Sequence, residues 1–290
     1  MATKHTKTLS RLMNLPAIGL LFIWMIVPLT MAIYYSFQRY NLLKPDQRGF
    51  AGWFNYEFFI TDPAFVAAII NTIVLVGGVL LITIIGGVLL GLLLNQAIVG
   101  RGIVRILFIS PFFVMPTVAA LVWKNMLMHP IYGMFAEIAR FFGGTPIDFF
   151  ATIPLLSIVI IVTWQWLPFA TLILLTALQS LDQEQQEAAD MDGASAFAKF
   201  RYITLPHLAR AMTVVALIET IFLLSIFAEI KVTTNGGPGT DTTNLPYLVF
   251  SRALQHFDVG GASAGGIIAV ILANIVAIFL IRAVGKNLEA

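Results

Sequence analysis

The chain has 290 residues, of which 59% are apolar and 11% charged, with a formal net charge of +2. An average soluble domain carries roughly 25% charged residues, so this balance and a mean hydropathy of +0.89 exclude an ordinary soluble enzyme. The small net charge gives no ground for nucleic-acid binding, and a sequence without cysteine has no disulfide or thiol chemistry.

The elements follow in chain order. The first residues, MATKHTKTLSRLMN, place Lys4, Lys7 and Arg11 before an apolar run at about 15–37. That run is too long for a secretory leader and ends without a small-residue cleavage site, so it is expected to be a retained first span. Further runs at about 65–94, 106–128, 153–178, 212–231 and 260–283 bring the expected total to six. Each approaches the roughly 20 residues a helix needs to cross a bilayer. No alternating ten-residue segments suggest a β-barrel. The expected fold is therefore an all-α integral membrane protein, a single transmembrane domain over 1–290. Gly87 and Gly91 in the second span form a GxxxG spacing, a signal for close helix packing. Pro111 and Pro116 suggest a kink in the third span.

Orientation follows the positive-inside rule. With the N-terminus in the cytoplasm, ten Lys and Arg fall inside (Lys4, Lys7, Arg11, Arg101, Arg105, Lys199, Arg201, Arg210, Arg282, Lys286). Seven fall outside (Arg39, Lys44, Arg48, Lys124, Arg140, Lys231, Arg252). Both termini and the polar stretch 179–211 are then expected in the cytoplasm.

That polar stretch reads as a helix, a break and a second helix. Ser180 or Asp182 can cap the first helix, whose early acids suit the helix dipole. Gly193 can end it in the left-handed conformation. In the second helix, about 195–202, Phe197, Phe200 and Tyr202 are expected to share a face. Pro206 is expected to open the helix of the fifth span. On spacing alone, an ordinary amphipathic helix at the membrane surface fits equally well.

Glu187-Ala188-Ala189, followed by Asp190, Gly193, Ile203, Leu205 and Pro206, resembles the EAA loop of importer-type ABC permeases. The resemblance implies six transmembrane helices with a cytoplasmic coupling helix that docks into a separate ATPase. Thr234-Asn235-Gly236-Gly237-Pro238-Gly239, with Tyr247 and Gly260-Gly261 beyond it, resembles the TxGGP segment of maltose-type carbohydrate permeases. The stretches 164–182 and 264–288 are similar to the permease subunits for sugar alcohols such as sorbitol and mannitol. The family implies a second homologous permease subunit as heterodimeric partner, a homodimeric ABC ATPase and an extracytoplasmic substrate-binding protein. It implies the bacterial inner membrane as location. It implies no cofactor in this chain, since ATP and Mg²⁺ belong to the ATPase.

The chain has no GxxxxGK[ST] phosphate loop of its own and no HExxH. No catalytic residue and no metal ligand is expected. Gly261-Ala262-Ser263-Ala264-Gly265 matches GxSxG, but it opens a membrane helix rather than a strand-to-helix turn, so small-residue packing is the expectation.

A polyol offers only hydroxyls and carbon faces, so its site needs hydrogen-bonding groups and flat rings near the middle of the bundle. Gln165, Trp166 and Phe169, beside Pro168, supply both in the fourth span. The matching segment of the maltose permease lines the sugar site, which implies the same three residues here. In the fifth span Glu219, Phe222 and Ser225 are candidates, and Glu219 could equally be a structural partner. Glu229 and Lys231 read as an outer-rim pair. Another sugar or glycerol phosphate remains open as substrate. An ion-coupled carrier using Glu219, or a membrane scaffold, remains open as function.

Overall fold

The computed structural model describes residues 4–96 and 100–288. The side chains of Lys4, Lys7, Arg11 and Lys286, used above for orientation, lie outside the described side chains. Helix α1 spans Lys4–Ser36. A hairpin of β1 (Gln38–Arg39) and β2 (Gly49–Phe50) follows, antiparallel, with Gln38 opposite Phe50. Then come α2 (Phe54–Ile60), α3 (Pro63–Asn95), α4 (Arg101–Ile109), α5 (Pro116–Val122), α6 (Met134–Phe141) and α7 (Phe149–Thr152). The chain continues through α8 (Pro154–Gln179), α9 (Gln183–Met191), α10 (Ala196–Lys199), α11 (Leu205–Leu223), α12 (Ala228–Thr233), α13 (Leu245–Phe250) and α14 (Val259–Leu288).

Among the described residues, five helical stretches are long and apolar enough to cross a membrane: Met13–Ser36, Pro63–Asn95, Pro154–Gln179, Ala196–Leu223 and Val259–Arg282. A sixth is broken, with Arg101–Phe113 and Pro116–Leu127 meeting at 102°. The break has a local cause. Pro116 disfavours helical backbone in the residue before it, and Met115 is extended at φ −57 and ψ 136.

One element departs from the expected bounds. The fifth helical stretch was expected at 212–231, but it ends at Leu223 and helix resumes at Ala228. Asn244 Nδ2 donates to the Ile226 carbonyl at 2.6 Å, so this interruption leaves that oxygen satisfied. As expected, Pro206 stands in the first turn of the helix of the fifth span, α11. It sits inside the continuous stretch Ala196–Leu223, just after a π turn at Phe200–Thr204. Proline lacks the N–H and crowds the carbonyl four residues back; a widened turn removes that conflict.

The chain forms two compact units. One comprises Met1–Asp62 and Leu248–Ile271. There Asn55 Nδ2 donates to the carbonyls of Ser36 and Gln38, both at 2.8 Å. Arg252 pairs with Asp62 and lies over the Phe58 ring. Gly265 of the GxSxG match lies so close to the Phe59 ring that a side chain would overlap it, in keeping with a packing role.

The other unit comprises Pro63–Tyr247 and Leu272–Ala290. Its centre is the packing of α3 on α8. A Cβ placed on Gly87 would stand 3.1 Å from Leu174 Cδ1 and 3.2 Å from Ala170 Cβ; at Gly91 it would stand 3.3 Å from Leu178 Cδ1. Within lipid there is little hydrophobic drive between helices, so such close approach is what holds them. Val88, Ala170, Leu174, Leu178, Leu208 and Val215 extend this core to α11.

Candidate functional site

The polar helix–turn–helix is built by local rules. Asp182 caps α9, its carboxylate accepting from Glu184 N at 2.9 Å. Gly193 has φ +74. Its N–H donates to the Asp190 carbonyl at 3.1 Å, and the Ala194 N–H donates to the Ala189 carbonyl at 2.9 Å. This pair of bonds is a Schellman motif, which requires the left-handed residue that glycine supplies without strain. Ser195 then caps α10, accepting from Ala198 N at 3.2 Å. Lys199 Nζ meets Asp190 Oδ1 at 2.5 Å and ties the two arms together.

Much of this surface is uncovered. Glu187, Ala188, Asp190, Gly193 and Pro206 are exposed, Ala189 is buried, and Ile203 and Leu205 are half-buried. Met191 is 89% exposed, Phe197 74% and Tyr202 76%, a large apolar display on a polar loop. The expectation that Phe197, Phe200 and Tyr202 share a face is corrected. Phe200 turns inward against the α3/α8/α11 core. Residues two apart do not face the same way on a helix, and the π turn shifts the register further. Beside the loop, Leu92, Gln186, Ala196, Lys199 and Phe200 border a groove of about 300 Å³.

The second constellation lies within the spans. Trp166 and Phe169 of α8 meet Phe222 of α11 and Phe112, which stands in the turn Ser110–Phe113. Phe112 stacks on Phe169 with centroids 5.5 Å apart, and Trp166 lies 5.3 Å from Phe222. Phe222 is 57% exposed, so the cluster keeps an open side. The structure thus brings together three of the six candidate contact residues and adds Phe112. Its only sequence signal was its place between two prolines.

The other three do not join them. Gln165 is buried, and its Nε2 donates to the Val114 carbonyl at 3.2 Å. Glu219 is fully buried, accepting from Thr83 Oγ1 at 2.6 Å. Ser225 is exposed in the turn beyond α11. Thr83 was missed from the sequence, although a hydroxyl in an apolar span is itself a signal.

The third constellation is the glycine-rich segment after α12. Thr242, Thr243 and Asn244 are buried there. Thr243 Oγ1 donates to the Gly236 carbonyl and Thr242 Oγ1 to the Gly237 carbonyl, each at 2.9 Å. Tyr247 Oη donates to the Asn235 carbonyl at 2.7 Å. Asn71 Nδ2 of α3 donates to the Thr240 carbonyl at 2.8 Å. Gly236 has φ +88 with the Tyr247 ring against it, leaving no room for a Cβ. Lys124 Nζ donates to the carbonyls of Val232 and Thr233 at 3.0 and 2.7 Å, a cation at the C-terminus of α12. Glu229 is buried rather than on a rim, and Lys231 Nζ donates to Asn235 Oδ1. The segment is buried and held by a network of hydrogen bonds.

Among the described residues no group of His, Asp or Glu could hold a metal ion.

Residues 99–290 match the family model described as "binding-protein-dependent transport system inner membrane component". The chain is 34% identical over 253 residues to the probable ABC transporter permease protein y4oQ of Sinorhizobium fredii, covering 87% of this chain and 82% of that one. It is 31% identical over 276 residues to the trehalose/maltose transport system permease protein MalF of Thermococcus litoralis, covering 94% and 91%. Its fold is similar to a chain in the crystal structure of a bacterial ABC transporter for the acidic polysaccharide alginate. There the TM-score is 0.82 at 22% identity, covering 96% and 95%.

Proposed function

Because the chain belongs to the family of inner membrane components of binding-protein-dependent transport systems, we propose that it is the permease subunit of an ATP-driven carbohydrate importer whose substrate is a sugar alcohol of the sorbitol or mannitol kind. As an ABC permease component it is not the ATPase. The ion-coupled carrier and the scaffold, both open from the sequence, are set aside by that membership. Relatives named for trehalose and maltose support the carbohydrate class. The polyol rests on the sequence resemblance.

The observation that carries the reading is the capped helix–turn–helix. It is capped, exposed and apolar at its tip, and it continues directly into the spanning stretch Ala196–Leu223. A force applied there passes into the membrane through unbroken helix. In this reading the loop is cytoplasmic, as are both termini, and the whole chain acts as one permease domain. Glu187, Ala188, Ala189, Asp190, Gly193, Ile203, Leu205 and Pro206 form the docking element for a homodimeric ATPase that holds ATP and Mg²⁺. A second, homologous permease subunit completes the pathway, and a substrate-binding protein delivers the ligand from outside.

Trp166, Phe169 and Phe222, with Phe112 behind them, are the stacking platform for carbon faces of the ligand. Gln165 and Glu219 are enclosed in this conformation and would meet a ligand only after α8 and α11 move. ATP-driven closure of the ATPase pulls the docking elements together and favours the outward-facing state; hydrolysis releases it.

The test is the ATPase activity of the complex that co-purifies with this chain in mild detergent. The binding protein is added with sorbitol, mannitol, maltose or glycerol 3-phosphate in turn. Stimulation by the two polyols alone is the expected result. Stimulation by another sugar refutes the polyol, and no associated ATPase refutes the coupling role.

A further inference from the structure

A groove of about 520 Å³ runs between α8 and α11, where they approach the polar loop. One wall is apolar, made by Ile173, Ala177, Ala211 and Val214. Ser180, His207 and Arg210 border it. His207 Nε2 lies 2.9 Å from the Ala177 carbonyl oxygen and 3.2 Å from Ser180 Oγ. His207 Nδ1 has no partner among the described residues, and the Arg210 side chain makes no hydrogen bond or ion pair among them. The groove therefore joins an apolar trough to a polar margin bearing an unneutralised cation.

We propose that this groove seats one acidic phospholipid of the cytoplasmic leaflet, an acyl chain along the apolar wall and the phosphate at Arg210 and His207. The proposal rests on the cytoplasmic placement of the loop given above. Charge complementarity chooses the occupant. The cytoplasmic leaflet is rich in anionic headgroups, and each nearby Lys or Arg attracts them. Size agrees. A helix is about 10–12 Å across and rises about 5.4 Å per turn, so the groove holds little more than one turn of a partner helix. A single acyl segment fits it better.

The experiment is native mass spectrometry of the complex purified from its own membranes. Phosphatidylglycerol and phosphatidylcholine are offered at equal concentration. The wild-type complex is expected to retain phosphatidylglycerol preferentially. Arg210→Gln is expected to lower that retention roughly fivefold, the loss of one headgroup-facing cation. Arg210→Lys is expected to restore most of it, which separates charge from folding. Val214→Trp, which fills the exposed part of the trough, is expected to lower retention of both lipids while the other subunits stay bound.

Equal retention of the two lipids by wild type overturns the proposal, as does unchanged phosphatidylglycerol retention in both Arg210→Gln and Val214→Trp. Loss of a protein subunit with lipid retention unchanged makes the groove a subunit interface instead. Absence of an ATPase from the purified complex would refute the transport reading and leave the lipid preference measurable. Labelling of Ser180→Cys from outside intact cells would refute the cytoplasmic placement, and with it the leaflet.

Discussion

Thr83 Oγ1 donates a 2.6 Å hydrogen bond to Glu219 Oε2, joining α3 to α11 between two fully buried side chains. The other carboxyl oxygen, Oε1, is buried without a partner among the described residues. Removing the hydroxyl strands the carboxyl group in an apolar setting, which costs more than the bond contributes. Thr83→Val is expected to lower stability by about 2 kcal/mol. Adding Glu219→Leu should restore much of it. Thermal unfolding in detergent of the two single variants and the double variant measures this coupling. A stable double variant that has lost transport would show that Glu219 also meets the ligand.

Gly193 separates backbone geometry from docking. Its φ of +74 costs a side chain roughly 1–2 kcal/mol locally, yet a Cβ there would meet nothing within 4 Å. Gly193→Asn, which tolerates this conformation, is expected to keep ATPase association and transport. Gly193→Trp is expected to insert in the membrane and lose both. Normal uptake by the Trp variant would remove the docking role from this loop.

The α3/α8 contact depends on bare backbone. Gly87→Leu would force Leu174 and Ala170 apart and is expected to cost about 1–3 kcal/mol. Gly77, on the same helix, has no atom of the described residues within 4 Å of where a Cβ would stand. Gly77→Leu should therefore leave the melting temperature nearly unchanged. Equal effects at both positions would mean that the packing does not hold the unit together.

In the glycine-rich segment, Tyr247→Phe removes one bond to the Asn235 carbonyl and is expected to cost about 1 kcal/mol. Gly236→Ala meets both the left-handed backbone and the Tyr247 ring, and is expected to destabilise more. Limited proteolysis across 234–244 compares them. Similar protection in both variants would contradict the tight packing described.

The ring cluster separates binding from turnover. Trp166→Ala is expected to raise the KM for transport about tenfold, as one aromatic platform is lost, at the upper end for a ring contact. Phe112→Leu, which only supports Phe169 and Trp166, is expected to act in the same direction and more weakly. A fall in maximal rate at unchanged KM would place these rings in conformational coupling instead.

Much was legible in the sequence because its physics is local. Long apolar runs force membrane helices, since a backbone in lipid must satisfy its own hydrogen bonds. Gly193 could be read as the break, and Ser180 or Asp182 as the cap, from short-range sterics and hydrogen bonding alone; the structure selects Asp182. The kink at Pro116 followed from the restriction on Met115. What only the tertiary structure decided is the set of partners distant in sequence. Thr83 and Glu219 are 136 residues apart. Phe112 reaches Phe169 only because the broken span folds against α8. Gln165 looked as available as Trp166, but adjacent residues on a helix face different ways, and packing turned Gln165 to the Val114 carbonyl. Composition and period set the helices; the faces they bury depend on neighbours that no local pattern names.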